Sequence, residues 1–225
     1  WKYMILRAGF GTLGILCNFY AVDHLVLSDA SMLNKMSPFF VILFSFLILK
    51  EKLTPIQVTA VCGAFIGSLF IIKPTFLNMN IVPSLIGLCG GLCAGIAYTM
   101  VRVLGQRGQK GVSVVLFFSG FSCLVTLPYL LLNYHTMSMW QGIVLLGAGV
   151  AAAGGQFAIT AAYYHAPARE ISVYDYSQII FSAIIGFALF HQIPDRYSVL
   201  GYVIIIGMAV WMFFYNQRRD ASDVK

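Results

Sequence analysis

Lys35 and Asp175 are the clearest charged residues lying well inside long apolar stretches of this chain. Each sits about five residues into its stretch, or ~7.5 Å of helical rise. A charge at the centre of a bilayer helix costs roughly 2.5–3.5 kcal/mol on insertion scales, so such groups pair, face water or meet a solute. Asn34, Ser37, Tyr176, Ser177 and Gln178 add donors and acceptors beside them, and Pro38 frees a backbone carbonyl in its helix. Asn18, Tyr98, Thr99 and Gln156 are further polar residues within apolar stretches. The chemistry these side chains offer is reversible binding of a small polar molecule, and Asp175 is also able to exchange a proton. The candidate binding residues are Lys35, Asp175, Asn34, Ser37, Tyr176, Gln178, Asn18, Gln156 and Tyr98. Each has a plain structural alternative. Lys35 fits a lysine snorkelling to the interface, and the lone polar residues fit interhelical hydrogen bonds.

The elements that must position these groups are membrane helices. Hydrophobic residues make up 60% of the 225 residues and charged residues 10%, and the mean hydropathy is +0.84. A soluble domain carries about 25% charge. Bilayer hydrocarbon is about 30 Å thick, so a crossing helix needs around 20 mostly apolar residues. Eight runs answer that description, near Leu6–Asp23, Ala30–Leu49, Pro55–Ile72, Val82–Leu104, Val112–Asn133, Met139–Tyr164, Glu170–Phe190 and Tyr197–Tyr215. Period-two alternation is absent, which argues against a barrel. The expected fold is an all-α membrane protein with eight transmembrane helices. The chain starts at Trp1, and the natural N-terminus is expected to lie upstream. No small-x-small cleavage site follows the first run, so it does not read as a removed leader.

Basic residues set the orientation. If the first run leaves the cytoplasm, Lys2, Arg7, Lys50, Lys52, Arg102, Arg107, Lys110, Arg169, Arg218, Arg219 and Lys225 lie on or near the cytoplasmic side. Only Lys35, Lys73 and Arg196 of the 14 Lys and Arg fall toward the other. The positive-inside rule favours this path, with the C-terminus cytoplasmic. The net charge of +6 follows from topology, and no basic stripe with interleaved aromatics points to nucleic acid.

An enzyme has little to stand on here. His24, His135, His165 and His191 lie at helix ends or in loops. Glu170 and Asp175 are about 140° apart round a helix and form no paired-carboxylate face. There is no metal-ligand spacing, no nucleophile–base arrangement and no phosphate-cradling loop, so no cofactor is expected. Cys17, Cys62, Cys89, Cys93 and Cys123 all fall in apolar runs, an odd set unlike a disulfide framework. A passive channel or a membrane assembly factor remains a rival reading to a carrier.

Small residues recur at helix-contact spacing in Gly63–Gly67 and Gly87–Gly91–Gly95, and again from Ala151 to Gly155. Shifting the chain by 140 residues superimposes the runs: Leu6–Asp23 falls on Met139–Tyr164, Ala30–Leu49 on Glu170–Phe190, and Pro55–Ile72 on Tyr197–Tyr215. Lys35 falls on Asp175. Five crossings separate equivalent helices, so the halves are inverted, a construction of secondary transporters. On continuous helices the two charges would bracket the bilayer middle, roughly 15 Å apart along the normal.

The stretch Ser37-Pro38 … Leu49-Lys50-Glu51-Lys52-Leu53-Thr54 … Gln57 … Gly63 … Gly67 resembles the end of an EamA-type repeat. Tyr164-His165-Ala166-Pro167-Ala168 … Asp175-Tyr176-Ser177-Gln178 … Pro194-Asp195 … Gly201 … Gly207 resembles the end of a second. The resemblance is to the drug/metabolite transporter superfamily. It implies a 5+5 inverted-repeat bundle of ten helices, of which this chain lacks the first two. Residues 1–76 would then be three helices of the first repeat, 82–217 the second repeat, and 218–225 a cytoplasmic tail. It further implies a permease for a small organic solute in a bacterial-type plasma membrane, working by alternating access, with a coupling proton as a candidate partner. Substrate, direction and oligomeric state stay open. His191-Gln192 stands where the family often has Gly-Glu, and in the first half Lys50 replaces the glycine.

Overall fold

The computed structural model describes residues 1–25, 27–51, 54–72, 81–133, 136–190 and 196–223. Lys52, Lys73, His135, Pro194, Asp195 and the His191-Gln192 pair lie outside them. All regular structure among the described residues is helical. Its order is α1 (Lys2–His24), α2 (Leu27–Asn34), α3 (Ser37–Leu49), α4 (Pro55–Ile72), α5 (Ile81–Gln106), α6 (Gly111–Leu132), α7 (Met139–His165), α8 (Ala168–Ile171), a 3-10 turn (Tyr174–Tyr176), α9 (Ser177–Phe190) and α10 (Arg196–Asp223). Among the described residues, five helices are long and apolar enough to cross a membrane: α1, α5, α6, α7 and the Arg196–Tyr215 part of α10. α3 and α4 are shorter apolar helices.

Two of the eight expected runs are not continuous helices. Ala30–Leu49 breaks at Lys35 and Met36. Pro38 sits in the first turn of α3, where its fixed φ and missing N–H suit a helix start, and it disfavours helical geometry in the residue before it. Glu170–Phe190 breaks between α8 and α9. Ser172, Val173 and Asp175 lie in that stretch, side chains that are β-branched or that compete for backbone hydrogen bonds. The two breaks fall at equivalent positions of the 140-residue offset.

Capping chemistry fixes the ends of α3 and α4. Lys50 turns into the left-handed region at φ 55°, and the Glu51 N–H then donates to the Ser45 carbonyl at 3.3 Å. Thr54 and Gln57 form a reciprocal cap on α4: the Thr54 N–H reaches Gln57 Oε1 at 3.1 Å, and the Gln57 N–H reaches Thr54 Oγ1 at 3.4 Å.

The glycine rows do what their spacing predicts where they meet a helix. A Cβ on Gly91 would stand 2.9 Å from the Leu33 carbonyl and one on Gly95 2.5 Å from the Phe40 Cβ, so α5 lies against the α2–α3 break. A Cβ on Gly67 would stand 3.0 Å from the Gly201 carbonyl, where α4 meets α10. The Ala151–Gly155 row differs, since Gly155 faces open space. α7 buries only Thr160 and Tyr163, both near its end. The core has two parts. One joins Ile42, Val61, Ala64, Val173, Tyr176 and Ile205; the other joins Val41, Val101, Tyr163 and Ala168. The second break, from Ala168 to Tyr176, is packed into both.

Candidate functional site

The two breaks meet, and each satisfies polar groups that the other frees. Lys35 Nζ donates to the Asp175 carbonyl at 3.3 Å and to Gln178 Oε1 at 2.7 Å. The Tyr176 hydroxyl donates to the Lys35 carbonyl at 3.0 Å. Tyr176 itself is fully buried. The expected separation of roughly 15 Å between Lys35 and Asp175 is therefore wrong. It assumed continuous helices, whereas the breaks bring the chain ends together and the lysine stem spans the remainder. The lysine reaches the backbone of Asp175, not its carboxylate. Oδ2 of that carboxylate is buried without a hydrogen-bond partner. The Tyr163 hydroxyl, orphaned in the same way, is close enough to interact with it. Ser37 is buried beside this clamp, with its backbone N 3.6 Å from where a Gly91 Cβ would lie.

A cavity of about 320 Å³ lies beside the clamp, between α1, the end of α2, α5, α6 and α7. Asn18, Asn34, Tyr98 and Gln156 line it. The sequence-derived candidates thus divide in two. These four face the cavity, while Lys35, Asp175, Tyr176 and Gln178 build the clamp. Tyr98 links the groups, since its ring stacks on Tyr163 at 5.3 Å between centres and 11° between planes.

The residue that sequence reasoning missed is Arg7. It belongs to the basic residues counted toward the cytoplasmic flank, yet it is 3% exposed and lines the cavity. Its Nη2 donates to Gln156 Oε1 at 3.0 Å, and its guanidinium lies 4.0 Å from the centre of the Phe118 ring. The signal was present in the sequence. Arg7, Gly11, Gly14 and Asn18 share one helix face, and Gly11 leaves the room that the guanidinium occupies, since a Cβ there would collide with Arg7 Nη1.

A second arginine ties helix ends together. Arg102 Nη1 donates to the Tyr163 and Tyr164 carbonyls at 3.2 and 2.9 Å, satisfying groups that the end of α7 leaves free. Its Nε lies 3.7 Å from Glu51 Oε1. Ser45 Oγ donates to the other Glu51 oxygen. Among the described residues no group of three or more His, Cys, Asp or Glu could hold a metal ion.

The sequence and the fold both have known relatives. Residues 1–73 and 85–214 match the EamA-like transporter family. The pseudopaline exporter CntI of Pseudomonas aeruginosa is 32% identical over 206 residues, covering 90% of this chain and 72% of that protein. A riboflavin transporter of Brucella anthropi is 27% identical, covering 97% and 77%. An S-adenosylmethionine uptake transporter of Rickettsia prowazekii is 23% identical, covering 91% and 68%. A crystal structure with 18% identity superimposes at a TM-score of 0.79, covering 97% of this chain and 78% of that one, which shows a shared fold. Apolar helices, broken helices that meet beside a polar cavity, and relatives named as transporters lead to one conclusion: the chain belongs to the EamA-like transporter family and is a multi-pass membrane protein that carries small solutes.

Proposed function

We propose that the chain is the larger part of a secondary carrier that moves a small organic solute across a plasma membrane by alternating access. The observation that carries this reading is the reciprocal bonding of the two breaks, from Lys35 to the Asp175 carbonyl and from Tyr176 to the Lys35 carbonyl. Irregular backbone at membrane depth survives only where protein or a water-filled cavity satisfies it. Paired discontinuous helices beside a midplane site are how inverted-repeat carriers build such a place. The reading takes all eight runs as crossings within a 5+5 inverted bundle, places the C-terminus in the cytoplasm and puts the solute in the cavity beside Tyr98. Relatives named as exporters and as uptake transporters both occur, so direction is left to the gradient and the coupling ion.

Asp175 is the candidate proton carrier. Its carboxylate is faced by Lys35 from the first break, by Tyr163 of α7, by Tyr98 of α5 and by Tyr176 of its own turn. The test uses the full-length protein in proteoliposomes, with a panel of labelled metabolites, with and without a proton gradient. Wild type should move at least one solute. Lys35→Met and Asp175→Asn should each cut that transport by about tenfold or more. Asp175→Asn should keep a melting temperature near wild type, whereas Lys35→Met should lower it, because the Asp175 carbonyl and Gln178 lose their donor. Asp175→Asn should also abolish pH dependence while keeping part of the counter-exchange, because an amide binds but does not titrate. Wild-type transport in both variants would remove the clamp from the mechanism.

A further inference from the structure

Among the described residues, the cavity holds a cation and no anion. Arg7 is almost wholly buried, its Nε has no hydrogen-bond partner, and its one side-chain acceptor is the neutral amide of Gln156. The ion pairs recorded among the described residues join other groups, His24 to Asp23 and Arg102 to Glu51. A buried charge that lacks its counter-charge is strongly destabilising. An amide oxygen and the Phe118 ring recover only part of that cost. Lysine would meet the same electrostatic need, but the planar guanidinium fork matches the paired oxygens of a carboxylate or a phosphate, where an ammonium is only a point charge. Around it the cavity offers polar Asn18, Asn34 and Tyr98, and apolar Phe19 and Phe118. Its volume, about 320 Å³, is near the lower end of the range for small-ligand pockets.

We propose that Arg7 is the anion-binding group of this cavity and that the solute is an organic carboxylate. The carboxylate pairs with the guanidinium, the body of the molecule lies against Phe118 and Phe19, and further polar groups reach Asn18, Asn34 or Tyr98. Arg7 thereby supplies the substrate class for the carrier reading above, on which this inference rests.

The test reads binding, so that it is separate from transport. The purified full-length protein is kept in an uncharged, phospholipid-free detergent, which removes lipid phosphate as a rival anion. The probes are succinate, citrate and L-glutamate, set against succinamide, L-glutamine and putrescine. At least one carboxylate should raise the melting temperature, and none of the amides or the diamine should. The apparent Kd of that carboxylate should weaken about 30-fold or more in Arg7→Gln and less in Arg7→Lys. A second readout does not depend on the variants folding. Phenylglyoxal modifies arginine, and mass spectrometry of wild type should show the Arg7 adduct suppressed by that carboxylate and not by its amide. Failure of every carboxylate to shield Arg7 overturns the proposal, and so does Arg7→Gln with undiminished carboxylate affinity. Binding through Arg7 with no transport in proteoliposomes would instead sink the carrier reading and leave this assignment standing. Transport of neutral solutes with no carboxylate binding would do the reverse.

Discussion

Lys50 shows how much one backbone angle constrains a residue. At φ 55° and ψ 28° it closes α3 in a conformation that glycine adopts freely and that costs other residues about 1–2 kcal/mol. That accounts for the glycine the family often carries here. The turn sends Glu51 back to Ser45 and Arg102. Lys50→Gly should therefore melt at or slightly above the wild-type temperature. Lys50→Val, β-branched at a left-handed position, should be about 1–2 kcal/mol less stable than Lys50→Gly. Equal melting temperatures for the two variants would show that the turn is not under strain. At this scale the sequence was legible where hydropathy isolates a charge, as at Lys35 and Asp175. It was not legible at Arg7, because a basic residue near the start of an apolar run reads equally well as a topological flank. Only packing against Gln156 and Phe118 separates the two.

Among the elements, the runs were legible as runs and their continuity was not. Hydropathy averages over a window and is blind to two or three residues that leave helical geometry. The first break announces itself through Pro38. The second has no proline among residues 168–190, only side chains of modest helix propensity, so tertiary packing completes it. The glycine row on α5 is the element-level counterpart of the clamp. Gly91 presses on the Leu33 carbonyl and the Ser37 backbone N, the two ends of the first break. Gly91→Leu should thus reduce folded protein in membranes severely and lower the melting temperature of what remains. Gly155→Leu, on a row that faces open space, should be tolerated far better. Quantified yield after size-exclusion chromatography compares them directly. Similar yields for both would mean that α5 does not need its close approach to α2 and α3.

For the molecule as a whole, orientation is the testable unknown. On the orientation proposed from the Lys and Arg count, the Arg107–Lys110 loop would lie in the cytoplasm and the loop before α7 outside. Ser138 caps α7 through a reciprocal bond with Gln141, so the probe belongs one residue earlier, at Met137. In a background without native cysteines, Met137→Cys should react with an impermeant maleimide applied to intact cells. Gln109→Cys should react only after permeabilisation. The opposite pattern would reverse both the orientation and the inverted-repeat argument. The all-helical architecture was legible from composition and run length alone, because lipid leaves the backbone few other ways to satisfy itself. The cavity was not, because it arises from five helices converging and no single run encodes it.

The paired breaks carry one more consequence. Lys35 Nζ is bound to the Asp175 carbonyl and the Tyr176 hydroxyl to the Lys35 carbonyl, so each break holds a partner that the other supplies. Any motion that parts the two breaks hands all four groups to solvent in a single step. Conformational cycling is then also a hydration event, and its barrier depends on water activity. Impermeant osmolytes, which lower that activity, should therefore slow transport, and a rate unchanged by them would mean that the two breaks do not part during the cycle.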